Sequence, residues 1–389
     1  MESKKPSLAP SLSGVSQSRI RELADIAMSM DGVLRLYFGE SNQPTPRYIK
    51  DAAVRALNEG YTFYTENAGL PSLRRAIACK YREIHGVDLD WKNIVITASG
   101  VQALNVSIRC VLDPGDEAIV LTPAWPNGAA IAGMCSARAI ELPHVLHDGA
   151  YQIDFDALES AITDRTRLLL YTSPSNPLGW VAKAGDQDRL LEICRRRGLW
   201  LLADEVYERI YYNGPVAPSI LRKTTPDDAV IVVQSFSKSY CMTGWRLGWL
   251  VSRADLARKA THLNEFIVSH APSMAQKAAE TALLHGEGEI RSMVERLREN
   301  RDFVREALRS MPGITAPQAE GAFYLFPKIA GLQDSFDFCR MLLLEKRVGI
   351  APGVAFGAGG EGSVRICYAA DRSVLEPAME RLRSFLHGM

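Results

Sequence analysis

Paired cysteines are missing from this chain. Its seven thiols, Cys79, Cys110, Cys135, Cys194, Cys241, Cys339 and Cys367, are scattered through apolar stretches without one Cys-x-x-Cys spacing. That excludes the usual zinc and dithiol motifs and predicts buried free thiols, no disulfides and a reducing compartment, the cytoplasm. Long apolar runs are missing as well. Nothing approaches the roughly 20 residues of a membrane-spanning helix, and residues 1–17, rich in Ser, Lys and Pro, lack the apolar core of a signal peptide. Net charge is absent too, because 45 Lys and Arg balance 45 Asp and Glu. The field of the whole molecule gives neither nucleic acid nor an anionic membrane a reason to bind, so small molecules are the expected partners. There is no internal repeat, low-complexity linker or appended module.

What is present is apolar content. At 47% hydrophobic over 389 residues, the chain can build a large core and two or three structural units. From about residue 93 to 251, short β-rich runs alternate with helical periodicity: Ile94–Thr97, Ala118–Leu121, Leu168–Thr172, Leu199–Ala203, Val230–Val233 and Leu247–Val251. This alternation predicts an α/β fold, with a mostly parallel sheet flanked by helices in a large domain, taken as 47–277. Residues 254–310 read as helices, and Arg291–Arg309 carries Met293, Leu297, Val304 and Leu308 on one face of a solvated amphipathic helix. Beyond Pro312-Gly313, the runs Gly321–Phe326, Phe336–Arg347 and Ser363–Ala369 read as strand, helix and strand of a smaller α/β domain, 278–389.

Three apolar runs stop at chemically useful residues. Leu168–Thr172 leads into Ser173-Pro-Ser-Asn176, Leu199–Ala203 into Asp204-Glu-Val-Tyr207, and Ala229–Gln234 into Ser235-Phe-Ser-Lys238. Ligands of open parallel sheets sit outside the carboxyl ends of strands, where a partly dehydrated amine can lose its proton and attack a carbonyl. A lone lysine after a strand is ordinarily a surface charge. Here an amide, a carboxylate with a phenol, and an amine followed by Arg246 close successive strands, which points to one site.

Further pieces follow in order: Gly39-Glu40, Tyr64-Thr-Glu-Asn-Ala-Gly69, Thr97-Ala-Ser-Gly-Val-Gln102, Asp113-Pro-Gly-Asp116, Pro123-Ala-Trp125, Gly244-Trp-Arg246, Gly321-Ala-Phe-Tyr324 and Val364-Arg365. On these the chain resembles the class I/II pyridoxal-phosphate aminotransferases of fold type I, which are aspartate aminotransferase-like. The resemblance implies amino transfer between an L-α-amino acid and a 2-oxo acid in a ping-pong cycle, with pyridoxal 5'-phosphate as cofactor. It implies that an arm, 1–46, packs on the small domain, and that the protein is a homodimer in which Tyr64 reaches the phosphate of the neighbouring subunit. Lys238 would hold the cofactor covalently and move the substrate's α-proton. Asp204 would face the pyridine nitrogen, Tyr207 and Asn176 the phenolic oxygen, and Trp125 would stack on the ring. Ser99, Gly100, Val101, Ser235 and Arg246 would cradle the phosphate, with Ser99-Gly100 opening a helix whose free N–H groups meet the dianion. Arg365 would pair with the substrate α-carboxylate, which Asn176 also contacts and which the backbone at Gly39 approaches.

On residue grounds alone each has a plainer role: Asp204 as a helix N-cap, Tyr207 and Trp125 as core, Asn176 as a turn former. A lyase, synthase or decarboxylase on the same scaffold shares Lys238 and Asp204, and an aminotransferase-like sensor domain of a transcription regulator is a more distant alternative. Val101 stands where some aspartate-specific relatives place a lysine, which favours neutral or aromatic donors, and Leu178 and Trp180 depart from the usual Thr and small residue. Other patterns fall away. Ser235-Phe-Ser-Lys238 lacks the companion motifs of acyl-transfer enzymes, Gly357–Gly362 precedes a strand and reads as a loop, and Arg195–Arg197 closes a helix before Gly198. His144 and His147, after Pro143, read as a surface turn, and no metal is expected.

Overall fold

The computed structural model describes Pro6 and residues 17–388. The rest of the N-terminal Ser, Lys and Pro tract, on which the signal-peptide expectation rests, lies outside the described residues. Seven strands make the main sheet: β1 (Ile94–Thr97), β2 (Glu117–Thr122), β3 (Arg138–Pro143), β4 (Thr166–Thr172), β5 (Trp200–Asp204), β6 (Val230–Ser235) and β7 (Gly248–Ser252). Their spatial order is β1-β7-β6-β5-β4-β2-β3. Every neighbouring pair is parallel except those of β7, which runs against both β1 and β6.

The apolar runs are continuous because both faces of the sheet are covered. Ile94 and Ile96, Leu169 and Tyr171, Leu201 and Ala203, and Val230 and Val232 face one core. Their alternates Val95, Leu168, Leu170, Leu202, Ile231 and Val233 face the other, beneath helices Gly100–Arg109 and Ala254–Ile267. Strand β3 has no fully buried residue, whereas the other strands are buried along most of their length, with Arg167 on β4 exposed.

Beyond the sheet, Glu287–Arg309 is a single helix that buries Met293, Leu297, Val304 and Leu308 along one face. Three short strands, Tyr324–Leu325, Ala351–Pro352 and Val364–Cys367, pair around the last. The first and last are shorter than the apolar runs Gly321–Phe326 and Ser363–Ala369 that announced them, and Ala351–Pro352 was not expected. Helix Arg19–Met28 buries Ile20, Leu23, Ala24 and Ala27 and packs against helix Ser335–Lys346, while Leu34–Arg35 pairs in parallel with Val348–Gly349. A boundary at 277 falls inside helix Ser273–His285, which packs on helices Arg47–Asn58 and Pro71–His85 and so ends as part of the sheet-bearing unit.

One glycine decides how closely sheet and helix meet at the cleft. A Cβ on Gly248 would lie 2.5 Å from the Gly100 nitrogen and 2.6 Å from the Gln234 carbonyl oxygen, both backbone atoms that cannot rotate away. Gly248→Ala is therefore expected to lower stability by ~1–3 kcal/mol through overpacking, read by urea denaturation. Unchanged stability would show that the helix start yields freely.

Candidate active site

The carboxyl ends of β2, β4, β5 and β6 open onto one cavity of about 380 Å³. Because β7 is reversed, the residues before it, Arg246 and Leu247, arrive at the same edge. Gly39, Gly100, Val101, Trp125 and Asn176 line the cavity, and so do Asp204, Tyr207, Ser235, Lys238 and Arg246. Three expected residues do not. Ser99 lies behind Gly100, Arg365 behind Asn176, and Tyr64 stands 89% exposed on the surface with its ring edge-on to His270.

Lys238 is carried by the four-residue helix Phe236–Ser239 that follows β6. Its Nζ donates to the Gly39 carbonyl at 2.6 Å. Burial pushes the ammonium down to about 8, with the Arg365 charge acting in the same direction and Glu40 and Asp204 opposing it. Asp204 ends β5, and burial pushes its carboxyl up to about 6. Its oxygens accept one long bond among the described residues, from the Val206 N–H at 3.4 Å. Glu205–Arg209 forms turns and no helix, so helix capping does not explain this carboxylate. A carboxylate made more basic by burial and short of donors is suited to accept from a ligand nitrogen that brings its own proton.

Tyr207 fills the core role considered for it, and its hydroxyl meets a second phenol. Its ring packs edge-on against Phe323 with centroids 5.3 Å apart, and its hydroxyl lies 2.6 Å from that of Tyr324. The Asn176 side chain plays no part in the turn it sits on. Its Oδ1 accepts from Arg365 Nη1 at 2.9 Å, which leaves its NH₂ group for a ligand. Arg365 is fully buried, donates from Nη2 to the Tyr37 carbonyl, and has an Nε with no partner among the described residues. An orphaned guanidinium N–H at this depth fits an anion that the protein does not itself supply.

At the other end, Ser99 adopts φ 126° and its hydroxyl accepts from the Gln102 N–H at 3.1 Å, capping the ten-residue helix that starts at Gly100. A Cβ on Gly100 would lie 3.1 Å from Ser235 Cβ, a tight contact that requires the neighbour to give. The Ser235 hydroxyl accepts from the Ser237 N–H at 3.1 Å and donates to the Leu247 carbonyl at 3.3 Å, thereby capping the turn that bears Lys238. Arg246, in the left-handed region at φ 52°, donates from Nη1 to the Thr243 carbonyl. Free N–H groups at a helix start, a hydroxyl and a guanidinium make an anion cradle.

Several cavity residues escaped sequence reasoning. Tyr324, Phe38, Glu40, Thr243 and Arg21 all line the wall. Tyr324 stood in a recognised motif but comes from the far lobe, and Arg21 sits off the apolar stripe of its helix, so neither carried a local signal. One reading is corrected. His144 is not on a surface turn: its Nδ1 hydrogen-bonds the Thr122 carbonyl at 2.8 Å, its ring lies 4.7 Å from that of Trp180, and burial pushes it down to about 4. The thiols also divide unevenly, with Cys194, Cys339 and Cys367 buried and Cys79 exposed.

A buried amine that is easily deprotonated, a carboxyl across the cavity, an aromatic wall and an anion cradle define a pyridoxal-phosphate enzyme of fold type I. The chain is 35% identical to an aspartate aminotransferase of Pyrococcus horikoshii, with 96% of each chain covered. It is 33% identical to aromatic-amino-acid aminotransferase 2 of Thermococcus litoralis, over 97% of this chain and 98% of that one. A solved alanine aminotransferase of Pyrococcus furiosus superposes with a TM-score of 0.92 at 28% identity, covering 98% of this chain and 100% of the other. The sequence profile of aminotransferase class I and II matches residues 33–382, and the chain belongs to that family. It is a pyridoxal-phosphate-dependent aminotransferase.

The lowered lysine makes a prediction that needs no turnover. In the apoprotein, Lys238 should react with an added aldehyde faster as pH rises, with a midpoint near 8, because only the neutral amine attacks. A midpoint at or above 10 would mean that water reaches the amine freely.

Proposed function

We propose that this aminotransferase accepts neutral or aromatic L-α-amino acids as donors and works as a homodimer in the cytoplasm. The observation that carries the site assignment is the pairing of a depressed amine, Lys238, with an underpartnered carboxyl, Asp204, in one cavity. When bound, pyridoxal phosphate supplies an aldehyde for the amine and a conjugated ring that takes up the electrons left behind when an α-proton departs. The chain's residues do the rest. Asp204 holds the pyridine nitrogen protonated. Tyr207 and the Asn176 amide donate to the phenolic oxygen, and Trp125 offers its face to the ring. The N–H groups of Gly100 and Val101, with Ser235 and Arg246, would hold the phosphate, while Ser99 caps the helix start behind them.

Arg365 orients the substrate by its α-carboxylate beside the Gly39 backbone, so that the α-hydrogen faces Lys238. The Lys238 nitrogen would take that proton from the α-carbon and return it to the cofactor carbon two bonds away. Such a positioned base contributes about 10²–10⁴-fold.

The donor preference rests on the cavity wall, where Phe38, Val101, Leu104, Trp125 and Tyr324 present apolar surface. Val101 projects no charge from the start of the phosphate-binding helix. The homodimer reading rests on Phe63, Tyr64 and Phe266, which are 80%, 89% and 87% exposed. Large aromatics left in water in this way ask for a partner surface. Unpaired thiols suit a reducing compartment, and no described helix is long and apolar enough to cross a membrane.

Borohydride treatment of the holoenzyme should tether the cofactor to Lys238. Lys238→Ala should retain none and lose more than about 10²–10⁴-fold in turnover; wild-type rates in that variant would end the assignment. In a donor screen against 2-oxoglutarate and pyruvate, neutral and aromatic amino acids should have the highest kcat/KM. A strong preference for aspartate would overturn the specificity reading.

A further inference from the structure

Beyond lining the cavity wall, Tyr324 has no part in the cofactor and substrate contacts assigned above, yet it sits at their centre. It lies on the strand Tyr324–Leu325 and pairs across to Cys367, two residues beyond Arg365. It is fully buried, its hydroxyl is 2.6 Å from the Tyr207 hydroxyl, and its ring centroid is 4.6 Å from the Arg365 guanidinium carbon. Gly39, whose carbonyl receives Lys238, faces the same hydroxyl, and a Cβ there would collide with it. One phenol therefore touches the residues assigned to the cofactor's phenolic oxygen, to the substrate carboxylate and to the lysine.

Counting protons gives the pair a direction. Each hydroxyl has one hydrogen to donate. Once Tyr207 gives its hydrogen to an acceptor in the cavity, the 2.6 Å contact survives only if Tyr324 donates to the Tyr207 oxygen. A hydroxyl that accepts a hydrogen bond is polarised into a stronger donor.

We propose that Tyr324 is a positioning residue that acts through Tyr207: by donating to the Tyr207 oxygen it strengthens the bond from Tyr207 to the phenolic oxygen of bound pyridoxal phosphate, and it ties that bond to the strand pair that carries Arg365. The inference rests on the cofactor-binding role of Tyr207. Electrostatics agree with the direction. Burial raises both phenols, but the mutual bond pulls Tyr207 back down and pushes Tyr324 further up, so Tyr324 is the one that keeps its proton.

The test is a pH titration of the holoenzyme's visible absorbance, which follows the proton shared by the Lys238 nitrogen and the cofactor's phenolic oxygen. A less well solvated phenolic oxygen is more negative and holds that proton more tightly, so weaker donation moves the midpoint up. Tyr324→Phe should raise it by roughly 0.1–0.7 unit, the effect of a 10–30% change in one charge-assisted hydrogen bond. Tyr207→Phe should raise it more, and adding Tyr324→Phe to Tyr207→Phe should raise it no further. Gly39→Ala, which pushes the Tyr324 hydroxyl away, supplies a second variant with the same expected direction. If Tyr207→Phe shifts the midpoint while Tyr324→Phe and Gly39→Ala do not, the proposal falls and the Tyr207 assignment stands. If Tyr207→Phe leaves the midpoint unmoved, both fall. A Tyr324→Phe shift that persists undiminished without the Tyr207 hydroxyl would also overturn the relay.

Discussion

The structure depends on drawing one amine partly out of water. Lys238 gives a hydrogen bond to a neutral carbonyl, that of Gly39, and burial outweighs the attraction of Glu40 and Asp204, leaving the ammonium at about 8. A lysine lowered to about 8 keeps a neutral, nucleophilic fraction near neutral pH that a solvated one lacks. Achieving this takes a surround that excludes water without supplying a close anion. The sheet provides it, since β6 is buried along its whole length and releases the chain into a four-residue helix still under cover.

The direction of one strand settles where charge enters the cleft. If β7 ran parallel to β6, Arg246 would arrive at the amino end of the sheet, far from the other groups. Running antiparallel, it starts where β1 and β6 finish, and Gly248 passes flush beneath the helix that begins at Gly100. The same packing explains two residues in unusual backbone conformations, Ser99 and Arg246, both at this junction. Strain of this kind is tolerated where surrounding structure over-determines it.

The second half of the site comes from sequence-distant elements. Arg365 reaches Asn176 across 189 positions and Tyr324 reaches Tyr207 across 117. Both contacts are hydrogen bonds between side chains of separate lobes, so the distance between sheet and small lobe is coupled to the geometry of the cleft. Helix Arg19–Met28 joins the same assembly, which is how Arg21 comes to the cavity rim.

Much of this was legible residue by residue. Two-sided burial made Leu168–Thr172, Leu199–Ala203 and Val230–Val233 continuous apolar runs, and their polar stops marked Asn176, Asp204 and the approach to Lys238. Local chemistry also revealed the Gly100 helix start. It could not show that Asp204 escapes capping, because that depends on Glu205–Arg209 forming turns under tertiary constraint. Nor could it place His144, whose burial comes from Trp180, 36 positions away in sequence, nor put Tyr324 against Tyr207. Sequence alone determined the strand ends and their reactive residues, because periodicity and chain breaks are local properties. Only the tertiary structure decided which of those groups share a dry cavity, which are already hydrogen-bonded and which are left free, because desolvation and partnership belong to the folded surround.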